Sequence, residues 1–335
     1  GIRPSEICIL AKQKVDDYSS KLIAILSSKG IKARIENEYF NKLNNLSSEW
    51  IFQRTGIKSR SRANKDETIN YMCLEAVREA SRNLSFNICN VDLIIFASYT
   101  PSDTIATPGY YIQKKYNISG AKVFYLSSAC SSAINAIEVI KSFFETGISS
   151  KALLVCAERN SSYSDDKDCM CGHLWGDGAC AYFFSKENIE TKSAKIIDVT
   201  SEGLGNIGMG TDGVFLNLQN KEIKMPYGKD VFVHACHYLI ENTKNILIKN
   251  DFSINQLSYF IGHQANMRIL KHVIKELGIP ENKLLYNIEE LGNTGSASTL
   301  LVFAQNYDKF KSGDLICISV FGGGYSAGSC LIRMN

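Results

Sequence analysis

"YLSSACSSAINAIEVIKSFFETG", residues 125–147, joins a short apolar run to an amphipathic helical pattern through a cluster of small residues. A buried strand that feeds a helix through a tight turn is the repeating unit of a layered α/β protein. Cys130 sits at the joint, among Ser127, Ser128, Ser131 and Ser132. Unpaired N–H groups and the dipole at a helix start favour negative charge, so a lowered thiol pKa and a nucleophilic Cys130 are expected. Small neighbours leave room for a slender substrate at the sulfur. The competing reading is a packed helix start with serine caps.

The same alternation recurs along the chain. Apolar runs at 93–97 (LIIFA), 123–126 (VFYL), 153–156 (LLVC), 181–184 (AYFF), 259–262 (YFIG) and 315–320 (LICISV) read as strands buried on both faces. Helical patterns at 68–82, 131–144, 229–249, 266–277 and 298–310 lie between several of them. The expected class is α/β, and the polar stretch 185–194 is the candidate junction between two similar halves. With 335 residues, 45% hydrophobic and 21% charged, the chain can bury one large core or two medium ones. A net charge of +3 with scattered Lys and Arg argues against a nucleic-acid partner. No apolar run approaches the ~18 residues of a membrane span and no signal pattern opens the chain, so a cytoplasmic location is expected. Eleven cysteines, an odd number mostly inside apolar runs, read as buried thiols of a reducing compartment.

A cysteine nucleophile needs partners. His263 ends an apolar run in "YFIGHQANMRIL", just before a helix, in the same strand-to-helix setting as Cys130. Asn293 lies in the glycine-bounded turn of "EELGNTGSAS", and the glycines of "VFGGGYSAGS" let backbone N–H groups approach a ligand. His234, His237 and His272 read as packing or surface residues. "GLGNIG" (203–208) fits G-x-G-x-x-G, but no helical pattern follows, so it reads as a loop. Cys169, Cys171 and His173 in "CMCGH" are spaced too tightly for a zinc knuckle and lack a second pair, so no metal is expected. "FGGGYSAG" lacks the Gly-Lys-Ser/Thr of a phosphate loop.

Cys130, His263 and Asn293, with "HQANMRI", "GNTGSAS", "GDGA" and "FGGGYSAGS", resemble β-ketoacyl-acyl-carrier-protein synthase III and its thiolase-superfamily relatives. "SSEWIFQRTGIKSR" (47–60) is similar to that family's pantetheine-channel segment, and the likeness covers residues 38–335. It implies a thiolase-like five-layered α-β-α-β-α fold of two similar halves, 38–190 with the nucleophile and 191–335 with the histidine and asparagine. It further implies a homodimer and no cofactor, acyl-CoA or phosphopantetheine thioesters being the substrates. Cys130 would be acylated from an acyl thioester and condensed with a malonyl-type or β-ketoacyl carrier-protein thioester. His263 and Asn293 would stabilise the enolate, and the N–H groups of Cys130 and Gly323 would form the oxyanion hole. Trp50, Arg54 and Trp175 would line the substrate channel, while Arg268 and Lys271 would dock the acyl carrier protein.

Departures from the family sharpen these expectations. Cys169 stands where many relatives carry an arginine that stacks on the CoA adenine, so carrier-borne thioesters are expected to be the better substrates. Trp175 replaces a common phenylalanine. The flavour of "CGHLWGDGA" and "LYNIEELGNTGSAS" resembles specialised polyketide or alkylresorcinol-type branches as well as fatty-acid biosynthesis. Residues 1–37 are atypical: 1–36 resemble a C-terminal segment of superfamily I DNA helicases, and Ile7–Ala11 could replace the family's first strand. Two rival functions are transfer of the Cys130-bound acyl group to an alcohol, amine or water, and a non-catalytic partner subunit. The complete Cys–His–Asn set argues against the second.

Overall fold

The computed structural model describes residues 46–187 and 192–335, so the atypical segment and the Ile7–Ala11 strand lie outside the described residues. The first sheet contains β1 (Leu93–Ala97), β2 (Lys122–Leu126), β3 (Lys151–Arg159) and β4 (Asp177–Ser185) in the order β2-β1-β3-β4. β2, β1 and β3 run parallel and β4 runs antiparallel to β3. β5 (Ala194–Gly203) opens the second sheet, and β6 (Phe215–Asn217) and β7 (Glu222–Lys224) form a small separate ribbon. β8 (Tyr259–Gly262), β9 (Leu315–Gly322) and β10 (Ser326–Met334) complete the second sheet in the order β5-β10-β9-β8.

Helices pack on both four-stranded sheets. α1 (Ser48–Thr55), α2 (Ile69–Ala80), α3 (Pro108–Lys115) and α4 (Ser132–Glu145) belong to the first part of the chain. α5 (Gly228–Lys249), α6 (Met267–Leu277), α7 (Ile288–Leu291) and α8 (Ser298–Asn306) follow. α2 and α3 pack on the outer face of the first sheet, α4 and α8 lie between the sheets, and α5 and α6 cover the second. These are the five layers α-β-α-β-α of the thiolase-like fold. Every residue of β1 and of β9 is buried, as strands covered on both faces must be, which is why both read as unbroken apolar runs.

Local signals set the helix ends. The Thr68 side chain accepts from the Tyr71 N–H, Pro108 occupies the first turn of α3, and Gly278 closes α6 in the left-handed region. α6 buries Met267, Ile269, Leu270, Val273, Ile274 and Leu277, leaving Arg268, Lys271 and Lys275 exposed. None of the described helices is long and apolar enough to cross a membrane.

Several elements differ from the sequence reading. β3 and β4 outrun their apolar cores at both ends because the ladder between them holds polar residues such as Arg159 and Asp177 as firmly as apolar ones. β5 and β10 carry no unbroken apolar run: Lys195 and Asp198 interrupt the apolar residues of β5, and serines and a glycine those of β10. β10 is nonetheless a strand because it is paired on both edges, with β5 and β9. The helix expected over 298–310 stops at Asn306 and continues as a 3₁₀ turn, Tyr307–Lys309. α1 and α3, eight residues each, were too short for a periodic signal.

α4 sits behind the Cys130 turn and turns its apolar face inward, burying Ala133, Ile134, Ala136, Ile137 and Ile140. Ile134 reaches across to Gly328 of β10, where a Cβ would lie 3.0 Å from its side chain. Ile134→Ala is therefore expected to cost about 2–4 kcal/mol in chemical denaturation. Val233→Ala, at a 53% exposed position on α5, should stay within about 0.5 kcal/mol of wild type.

Candidate active site

The chain turns from β2 into α4 through a strained elbow. Ala129 has φ +51°, the left-handed region that costs a residue with a Cβ about 1 kcal/mol. The serines brace it. Ser132 Oγ accepts from the Ser128 N–H at 2.8 Å and donates to the Ala129 carbonyl at 2.6 Å. Ser131 Oγ donates to the Ser128 carbonyl at 2.7 Å and lies 2.6 Å from Ser326 Oγ, the first residue of β10. Gly322 is packed against the elbow: a Cβ there would sit 2.9 Å from the Cys130 nitrogen and 3.0 Å from that of Ser131. The N–H groups of Gly323 and of Cys130 itself act on the Cys130 sulfur and favour its charged form.

The expected lowering of the Cys130 pKa does not occur. Burial, reinforced by the negative charge of Glu158, pushes the thiol up to about 12, and the two N–H groups offset only part of this. α4 begins two residues beyond the sulfur's own residue, and its dipole is too weak to overcome the desolvation.

His263 follows β8, is buried, and is anchored by its backbone N–H to the Ser319 carbonyl at 2.9 Å. Burial lowers its pKa to about 4, so the imidazole is neutral near pH 7. Its Nδ1 lies 3.0 Å from Ser298 Oγ on α8. Asn293 is held by its backbone: its N–H donates to the Leu174 carbonyl at 2.8 Å, and its carbonyl accepts from the Gly176 N–H at 2.9 Å. The Gly295 N–H donates to Asn293 Oδ1 at 3.0 Å. The amide oxygen is thereby engaged, and Nδ2 is the group left for the cavity.

Cys130, Trp175, His263, Asn293, Phe321 and Gly323 line one cavity of about 90 Å³. Cys130, His263 and Asn293, far apart in sequence, thus share one cavity. Trp50 and Arg54 lie outside that lining, on α1, with the Arg54 guanidinium 5.0 Å from the Trp50 ring centroid. The edge of His173 meets the same indole at 5.7 Å between centroids. α1 reaches the cavity's rim through Asn266, a lining residue that donates to the Arg54 carbonyl at 3.1 Å. Arg268 and Lys271 are exposed on α6 just beyond.

The remaining candidates fall elsewhere. Within "CMCGH", Cys169 is exposed, while buried Cys171 contacts Asp168 Oδ2 at 3.5 Å and His173 packs on Trp50. "GLGNIG" is a loop after β5. His234 pairs with Asp230 at 3.5 Å, and His237 and His272 are exposed. Ser298 carries no sequence signal beyond its place in "GNTGSAS".

The layers and the Cys–His–Asn cavity define a condensing enzyme of thiolase fold, an acyltransferase by class. Residues 124–205 match the family described as 3-Oxoacyl-[acyl-carrier-protein (ACP)] synthase III, and 247–334 match its C-terminal counterpart. The β-ketoacyl-[acyl-carrier-protein] synthase III of Ehrlichia ruminantium (strain Gardel) is 34% identical over 291 residues, covering 86% of this chain and 91% of that protein. The chain belongs to the β-ketoacyl-[acyl-carrier-protein] synthase III family. The crystal structure of 3-oxoacyl-[acyl-carrier-protein] synthase III from Aquifex aeolicus VF5 superposes with a TM-score of 0.82 at 31% identity, covering 89% and 94% of the two chains. The priming β-ketosynthase from the R1128 polyketide biosynthetic pathway gives 0.81 at 26% identity, covering 89% and 91%.

The lowered His263 pKa has a defined consequence for stability. Between pH 6.5 and about 4 the unfolded chain binds a proton that the folded ring does not, so stability is lost as pH falls through that window. NMR titration of the imidazole should find its midpoint near pH 4. A midpoint above pH 6 would contradict the burial argument.

Proposed function

We propose that the chain loads an acyl group onto Cys130 and condenses it decarboxylatively with a malonyl-type thioester carried by an acyl carrier protein. One observation carries this reading: His263 Nδ1 and Asn293 Oδ1 both have partners within the protein, Ser298 Oγ at 3.0 Å and the Gly295 N–H. In this reading the Ser298 hydroxyl is the donor, which puts the His263 proton on Nε2. Two neutral donors then face the cavity that contains the thiol.

In the loading step the Cys130 sulfur attacks the donor's thioester carbonyl, and the N–H groups of Cys130 and Gly323 hold the oxyanion. The carbonyl–sulfur bond of the donor breaks, and the thiol proton leaves with the departing thiol. Thioesters of CoA or of phosphopantetheine are substrates here, and the sequence of steps calls on no resident cofactor. In the condensing step His263 Nε2–H and Asn293 Nδ2–H hydrogen-bond the extender's thioester carbonyl as the carboxylate leaves as CO₂. The resulting enolate carbon attacks the acyl-cysteine, and the sulfur departs to regain a proton. Preorganised neutral donors suit charge that develops only in the transition state, each contributing about 3 kcal/mol.

Further features support finer parts of the proposal. Exposed Arg268 and Lys271 beside the rim suit the acidic surface of a carrier protein, and exposed Cys169 offers no guanidinium to stack on adenine. Trp50 and Arg54 would guide the arm inward, and Trp175 would bound it near the thiol. β2 lies at one edge of its sheet with Phe124 42% exposed, which supports a homodimer built through that edge. The ten free cysteines of the described residues suit a cytoplasmic location. Carrier-linked fatty-acid or polyketide biosynthesis is the corresponding setting.

Intact-mass analysis tests the site. Acyl thioester should add one acyl group to wild type and none to Cys130→Ala. His263→Ala and Asn293→Ala should still acylate while malonyl-thioester decarboxylation falls by about 10²-fold. Acylation that persists in Cys130→Ala would move the nucleophile to another residue. Arg268→Glu should lower kcat/KM for carrier-borne substrate about tenfold and leave a small pantetheine thioester unchanged, with the gap closing as salt is raised. An equal loss for both substrates would exclude a docking role.

A further inference from the structure

Glu158, at the end of β3, is fully buried, and no step above uses it. Its carboxylate gathers donors from both parts of the chain. Oε2 accepts from Ser98 Oγ at 3.2 Å, the Thr100 N–H at 3.1 Å and Thr100 Oγ1 at 2.5 Å. Oε1 accepts from the Tyr99 N–H at 3.1 Å and from Ser296 Oγ at 2.5 Å. Ser98 to Thr100 follow β1, whereas Ser296 belongs to the turn that carries Asn293.

Packing repeats the message. Gly295, whose N–H fixes the Asn293 oxygen, has φ +58°, and a Cβ there would run into Tyr99 Oη and sit 2.8 Å from Glu158 Cγ. Tyr99 Oη donates to Asn160 Oδ1 at 2.8 Å, and Asn160 Nδ2 donates to the Asn293 carbonyl at 3.2 Å. The turn is seated directly on this buried group, and its one side-chain tie to the carboxylate is Ser296.

We propose that Glu158 is a positioning residue that clamps the 293–296 turn through Ser296, so that extender decarboxylation depends on it while acyl loading of Cys130 does not. The inference rests on the condensing reading above, in which Asn293 donates to the extender. Burial raises this carboxyl to about 7, and each oxygen faces a backbone N–H that only an acceptor satisfies, Thr100 at Oε2 and Tyr99 at Oε1. A glutamine must turn its NH₂ toward either the Ser98 and Thr100 donors or the Tyr99 N–H and Ser296. Loading has no such dependence: the Glu158 charge raises the Cys130 pKa, so removing it does not hinder formation of the nucleophile.

The test compares the two half-reactions in the full-length chain. In Glu158→Gln and Ser296→Ala, decarboxylation of malonyl thioester should fall about tenfold or more, since small misplacements of a catalytic donor have effects of that size. Acylation of Cys130, read by intact mass, should stay within about threefold, and Ser296→Thr, which keeps the hydroxyl, should retain most of the decarboxylation. Equal loss of both half-reactions, or no loss of decarboxylation, overturns the proposal. A second measurement does not depend on the reaction. Hydrogen exchange at the Gly295 amide should accelerate in Ser296→Ala, and an unchanged rate overturns the clamp. Wild type that neither acylates nor decarboxylates would refute the condensing reading, and the exchange result would still decide the clamp.

Discussion

The cavity depends on a backbone contact between the two parts of the chain at the asparagine itself, the bridge between Trp175 and Asn293. Each strand of this two-residue pairing donates one N–H to the other, so the turn carrying the asparagine is held by groups that no side-chain substitution can remove. The approach is too close for side chains. At Gly176 a Cβ would run into the Leu291 carbonyl, and at Gly178 it would meet Leu301 at 2.8 Å. The glycines of "GDGA" are thus needed to bring the start of β4 against the Asn293 turn.

Asn160 and Gln264 tie the backbone around this bridge, while the buried Trp175 Nε1 and Thr294 Oγ1 have no hydrogen-bond partner among the described residues. Asn160 donates at 2.7 Å to the Gly176 carbonyl. Gln264, beside the histidine, donates to the Gly262 carbonyl at 2.6 Å and accepts from the Asn287 and Ile288 N–H groups at 3.0 and 3.2 Å. Each is a side chain completing backbone hydrogen bonds that the irregular turns leave open. Losing a partner here would strand a buried donor or acceptor, at a cost of about 1–3 kcal/mol.

The electrostatics share one character. Burial raises the Cys130 thiol to about 12 and lowers His263 to about 4, so both rest neutral. A site of neutral donors in a small enclosed volume interacts weakly with a neutral ground state and strongly with an oxyanion or enolate. That difference suits the proposed condensation without requiring a standing charge at the nucleophile.

Much was legible in the sequence because it is a local property. Cys130 and His263 each end a short apolar run and precede a helix, and Asn293 is framed by glycines, so strand, turn and helix signals mark all three within about ten residues. The strands buried on both faces announced the α/β layers in the same way. The tertiary structure alone decided what depends on distant partners. β10 is a strand because β5 and β9 flank it, and the half-buried thiol is neutral because desolvation by the surrounding layers raises its pKa. Ser298 meets His263 across 35 positions and Glu158 meets Ser296 across 138. Neither pairing has a periodic signature, because a hydrogen bond between side chains depends on where the folded backbone brings two residues together and not on the residues that flank them.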